Sequence, residues 1–141
     1  MLKTVLNPFA DKAYALLRIV AGLMFSFHGM QKILGLLNDH AKPELGTQMW
    51  FGGIIELVAG LAIAIGLFTR CAAFVASGTM AVAFFQFHLA GSTLLGIKKI
   101  LPGTNGGELA VLYCFLFLYL ACKGAGPCSI DSKREKPAAQ S

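Results

Sequence analysis

Charge is what this chain has least of. Only 13% of its 141 residues are Asp, Glu, Lys or Arg, against about 25% in a soluble domain. Hydrophobic residues make up 56%, and the mean hydropathy is +0.67. Folding in water would leave much of that surface uncovered, so a small polytopic membrane protein of one domain is expected. The four cysteines, Cys71, Cys114, Cys122 and Cys128, form no Cys-x-x-Cys pair, and no histidine spacing completes a zinc site, so no metal centre is expected. Cys71 and Cys114 lie in or beside apolar runs as small apolar residues. Cys122 and Cys128 straddle the end of the last run, where redox activity is the alternative to a passive role. No haem pair, flavin fingerprint or iron–sulfur spacing is present. The net charge of +5 forms no basic stripe, which excludes nucleic acid as a partner. Residues 1–12 show neither a long apolar core nor a small-residue cleavage site, so no removable signal peptide is expected.

What the chain has in quantity is apolar runs. Spans are expected at about 13–37, 50–68, 71–89 and 108–125, forming an all-α bundle of four transmembrane helices with antiparallel up-down topology. A short segment, 1–12, precedes the transmembrane domain of 13–126, and a polar tail, 127–141, follows it. Asp11 is placed to cap the first span, and Asn105 with Glu108 three residues on matches a capping box before the last. A polar loop over 38–49, including Asn38, Asp39 and His40, separates spans one and two. Thr69-Arg70 makes a tight hairpin between spans two and three. Lys3, Lys12, Arg70, Lys123, Lys133, Arg134 and Lys136 fall on the side of the termini, and only Lys42, Lys98 and Lys99 on the other. The positive-inside rule therefore puts both termini in the cytoplasm.

Span two carries one ionisable group, Glu56. A carboxylate at that depth is costly and needs a partner or a function. Gly52, Glu56 and Gly60 share one stripe, flanked by Gly53, and small residues there let a neighbouring helix approach the acid. On span one, Arg18, Gly22, Phe25, Gly29 and Lys32 form another stripe with His28 at its edge. Ser77, Ala81, Phe84 and His88 make a third. Helix rise puts Glu56 about 9 Å below the outer start of its span. His28, Lys32, Glu56, His88 and Glu108 thus gather in the outer half of the membrane, at the level of Phe84, Phe85, Gln86 and Phe87. Two readings stay open. The polar groups fix helix registry, with Glu56 paired to His28 or Lys32, Glu108 capping its helix and His88 bonded to a loop carbonyl. Alternatively, they line a cavity for a polar-headed aromatic ligand, with histidine and glutamate passing protons. At the cytoplasmic end, Arg18, Arg70 and Asp131 form a structural polar group in which the tail folds Asp131 back onto one of the arginines. A Cys128 nucleophile activated by Arg70 is the alternative there.

Arg18, Gly22, Phe25, His28-Gly29-x-x-Lys32, Glu56-x-x-x-Gly60 and Gly66-Leu67-x-Thr69-Arg70 together resemble the DoxX family of small four-helix membrane proteins. Gly107-Glu108 and Gly124-x-Gly126-x-x-Ser129-x-Asp131 agree, and the likeness covers about residues 13–131. The resemblance implies a bacterial inner-membrane protein linked to oxidoreductase assemblies, some of them quinone-reducing or tied to quinone and thiol stress. It supplies no settled catalytic residue. The expected function is an integral membrane subunit of an oxidoreductase system handling a quinone or similar aromatic. His28, Glu56 and His88 would act in proton exchange, and Lys32, Glu108, Gln86, Phe25, Phe84, Phe85 and Phe87 would bind the ligand. Any stronger redox centre would belong to a partner subunit. The alternatives are a non-catalytic scaffold or chaperone, or a small-molecule carrier, for which the glycine stripes would permit a homodimer.

Overall fold

The computed structural model of the protein describes residues 2–35 and 42–134. Leu37, the Asn38-Asp39-His40 part of the first loop, and Glu135 and Lys136 of the tail lie outside the described residues. Within them, four helices reach 15 residues or more: α1 (Ala10–Leu34), α2 (Gln48–Ile65), α3 (Thr69–Ala83) and α4 (Glu108–Lys123). α3 runs directly into a π-helix, Phe84–Ala90, and there is no strand among the described residues. Three helical stretches are long and apolar enough to cross a membrane: Thr4–Leu34, Gln48–Ile65 and Thr69–Ala90. Leu16, Leu23, Val58, Phe74 and Phe115 lie exposed on their outward faces and on α4, a surface that suits lipid far better than water.

The helix ends follow from local chemistry, and two differ from expectation. α2 begins at Thr47, whose Oγ1 accepts from Trp50 N–H at 3.3 Å, and stops at Gly66, held at φ 71°. Asp11 caps nothing: a short helix, Leu2–Leu6, and a 3-10 turn, Asn7–Phe9, lead straight into α1 and leave Asp11 inside its first turn. Its charge there still suits the helix dipole. The Asn105–Glu108 capping box is also absent. Two short helices, Ile97–Ile100 and Pro102–Asn105, turn Asn105 back into the loop. Its Oδ1 accepts Gly107 N–H at 2.9 Å and its Nδ2 donates to Lys99 O at 2.8 Å, while Gly107 begins α4 with no side-chain cap.

α1 and α2 pack backbone to backbone through a glycine seam. A Cβ added to Gly22 would stand 2.6 Å from Ala64 N, and one added to Gly60 would stand 2.5 Å from Ser26 N. Towards the other end a Cβ on Gly29 would fall 2.5 Å from Gly53 O. Only glycine permits such an approach. The contacts run from Arg18 with Ile63, through Gly22 with Gly60, to Lys32 with Glu56, so the two helices point in opposite senses. Gly52 does not share in the seam; one residue is about 100° of rotation, and open space surrounds it. α3 and α4 meet along Ser77, which donates to Cys114 O at 2.8 Å, and Arg70, which donates to Ala121 O at 3.0 Å. Between the pairs the Phe25 ring lies 4.7 Å from Phe117, which stacks on Tyr113 at 5.2 Å.

Candidate functional site

The polar side chains fall into two groups at opposite ends of the bundle. At one end the Lys32 ammonium donates to Glu56 Oε1 at 2.6 Å. The Gly29–Gly53 approach puts these residues face to face, one on α1 and one on α2. Glu56 is 3% exposed, and its Oε2 has no hydrogen-bond partner among the described residues. An ion pair so placed makes up for desolvation only when the remaining lone pairs are satisfied.

His88 comes in from the π-helix. A π-helical turn shifts the residues after it around the axis relative to an α-helix, and such turns recur at functional sites. His88 Nδ1 lies 3.3 Å from Asn105 O. A carbonyl only accepts, so Nδ1 donates in that bond.

Two cavities meet at these residues. One, of about 430 Å³, lies between α2 and the α3–π segment and is lined by Met49, Phe51, Gly52, Ile55, Val82 and Phe87, with Gln48 and Thr79. The other, of about 240 Å³, lies on the α4 side of these residues, among Phe25, His28, Met80, Leu109, Ala110 and Tyr113. Lys32, Glu56, Ala83 and His88 line both and so form their common wall.

The expected site residues are therefore divided. Lys32, Glu56, His28, His88, Phe25 and Phe87 line the cavities. Glu108 stands apart, exposed in a separate shallow pocket with Pro102 and Leu112. Gln86 is exposed and bonded to Gln48. Phe85 is 59% exposed, and Phe84 packs edge-on against it and under Gly107, outside either cavity. Among the lining residues the sequence did not single out are Met49, Phe51, Ile55, Val82, Met80 and Tyr113. Only Tyr113 carried a local cue, a phenol inside an apolar run.

The opposite end is a knot of backbone caps. Arg18 is fully buried; its Nη1 donates to Ile63 O and Ala64 O, both at 2.8 Å, and its Nη2 to Cys128 O at 2.8 Å. It thus closes the carbonyl end of α2 and holds the tail. Arg70 serves α4 in the same way, through Ala121, Cys122 and Lys123 carbonyls. Asp131 pairs with neither arginine, contrary to expectation. Its Oδ1 accepts Phe68 N–H at 2.9 Å, and its Oδ2 accepts Thr69 N–H at 2.8 Å and the Thr69 hydroxyl at 2.9 Å. The amides at the start of α3 meet the carboxylate directly, while the Nη atoms of both guanidinium groups are turned to helix and tail carbonyls. Desolvation pushes the Asp131 carboxyl upward, but the bonds from Thr69 and Phe68 and the nearby Arg134 charge outweigh it and hold the pKa below the usual carboxylate range. Cys128 is exposed, with its carbonyl rather than its thiol on Arg18.

Residues 13–89 match the DoxX family. An uncharacterized protein of Haemophilus influenzae is 43% identical over 131 residues, covering 91% of this chain and 95% of the relative. No solved structure matches.

Proposed function

The chain belongs to the DoxX family of membrane proteins, and from that premise we propose that it is the integral membrane subunit of an oxidoreductase system, handling a quinone or similar redox-active aromatic at the Lys32–Glu56–His88 wall. It sits in the bacterial inner membrane as a four-span antiparallel bundle with both termini in the cytoplasm. The opposed contacts between paired helices support that arrangement, and so does the grouping of Arg18, Arg70, Lys123 and Asp131 at one end. α4 would be the fourth crossing; its 16 residues rise about 24 Å, and a modest local thinning of the bilayer accommodates the shortfall.

One observation carries the reading: a buried carboxylate, ion-paired on one oxygen and unfilled on the other, forms the wall between two cavities, the larger of ligand size. A cavity of about 430 Å³ lies within the range of small-molecule sites, and apolar walls with a few convergent polar groups are their usual composition. Reduction of a quinone takes two electrons and two protons. The electrons would come from a partner subunit. Lys32 would hydrogen-bond a quinone oxygen, His88 and His28 would exchange protons, and Glu56 would hold Lys32 in place and tune its charge. Phe25 and Phe87 offer ring contacts on either side.

Glu56→Gln tests this reading. The variant should insert and fold, yet lose quinone-dependent activity in native membranes. Normal activity with only a lower Tm would refute it. A fixed protein partner and no bound quinone would favour a scaffold, whereas solute flux in proteoliposomes would favour a carrier.

A further inference from the structure

The two cavities differ in what surrounds them, and that difference narrows the substrate class. Met49, Phe51, Val82 and Phe87, around the larger cavity, are each between 44% and 54% exposed. They sit on helices long and apolar enough to cross a membrane, so lipid suits the surface they expose better than water. The smaller cavity opens to the surface at Gly106 and Leu109, but its inner wall is Phe25, Met80, Ala110 and Tyr113, all under 8% exposed, and His28, Lys32, Glu56 and His88 give it its polar groups. Between the two stands the Lys32–Glu56 pair. A polar head fits against that pair, and a hydrocarbon chain fits the mouth.

Resting on the quinone reading, we propose that the larger cavity is a lateral portal from the bilayer and that the substrate is a chain-bearing, lipid-dissolved quinone. Its head lies against the Lys32–Glu56 wall, with Lys32 on a quinone oxygen, while its chain stays in the mouth between α2 and the π-helix. A water-soluble aromatic without a chain fills only half of the site. Gly52 keeps the mouth open: it lines the larger cavity, and a Cβ there would meet nothing within 4 Å.

The protein carries its own reporter, because its one tryptophan, Trp50, packs with its ring centroid 5.1 Å from that of Phe51 in the mouth. Quenching of Trp50 fluorescence is read in lipid nanodiscs with a benzoquinone bearing a ten-carbon chain and with its chainless counterpart. The chain-bearing quinone should bind at least tenfold more tightly. Gly52→Leu should weaken it at least tenfold with Tm at or above wild type, since the new side chain enters open space and glycine leaves a helix interior. Val82→Phe fills the mouth from the opposite wall and should do the same. Equal binding of both quinones, or unchanged binding of the chain-bearing one in both mouth variants, would overturn the portal while leaving the quinone site standing. Binding of neither quinone to wild type would remove the quinone reading itself, and the portal with it.

Discussion

Gly60→Ala is the sharpest probe of how the two halves of the site are held together. The added Cβ would stand 2.5 Å from Ser26 N and 2.7 Å from Gly22 O. Ordinary contact begins near 3.4 Å, so α1 and α2 must part by about an ångström. Backbone cannot move aside as a flexible side chain can. Overpacking of this kind costs about 1–3 kcal/mol, and the helix-propensity gain of alanine over glycine returns about 1 kcal/mol. A clash of backbone on backbone belongs at the upper end of that range, about 2–3 kcal/mol, so the expected net change is a loss of about 1–2 kcal/mol. Gly52→Ala is the control, since open space surrounds that position, and it should gain about 1 kcal/mol. Unfolding followed by circular dichroism in a mild detergent measures both. The same ångström would stretch the 2.6 Å Lys32–Glu56 bond, which joins the same two helices one and a half turns of seam away, so Gly60→Ala should also weaken ligand binding. A Gly60→Ala protein as stable as wild type, or one that behaves like Gly52→Ala, would refute the backbone contact on which the seam argument rests.

Asp131→Ala should cost about 1 kcal/mol, the usual worth of a helix N-cap, and should loosen the 124–134 segment, seen as faster hydrogen exchange at Phe68 and Thr69. The folded pKa of Asp131 is depressed, so its contribution is present in full above the unfolded value near 3.8 and is lost as pH falls through the lower folded value. A stability profile should therefore lose an acid step in Asp131→Ala relative to wild type, and identical profiles would count against the cap. Arg18→Lys keeps the charge but not the fork that reaches Ile63, Ala64 and Cys128 carbonyls together. It should cost on the order of 2 kcal/mol for the carbonyls left unfilled and should expose the tail to limited proteolysis; an undisturbed tail would argue that Arg18 is not what holds it.

Much of the bundle could be read from local pattern. Apolar runs of nearly membrane length, and the stripe of Arg18, Gly22, Phe25, Gly29 and Lys32, follow from a 3.6-residue period that requires no knowledge of the rest of the chain. The need of Glu56 for a cation was equally plain, because a lone carboxylate among apolar residues is unstable without one. Glu108 shows the limit. It opens α4 as expected, but it falls on the outer side of that first turn, whose Leu109 and Ala110 line the smaller cavity. Depth follows from counting residues, whereas rotation depends on packing against other helices.

The sequence alone therefore determined that this is a helical membrane protein, where its apolar helices run, and which few polar groups must find partners inside it. Tertiary structure decided the partners: Lys32 for Glu56, the α2 carbonyls for Arg18, the α3 amides for Asp131, and Gly53 in place of Gly52 at the seam. The physical reason lies in distance along the chain. Hydrophobic period and helix rise act over one or two turns, but an ion pair or cap forms only when two helices meet at one angle and one offset, and that geometry is set by the close packing of residues far apart in sequence.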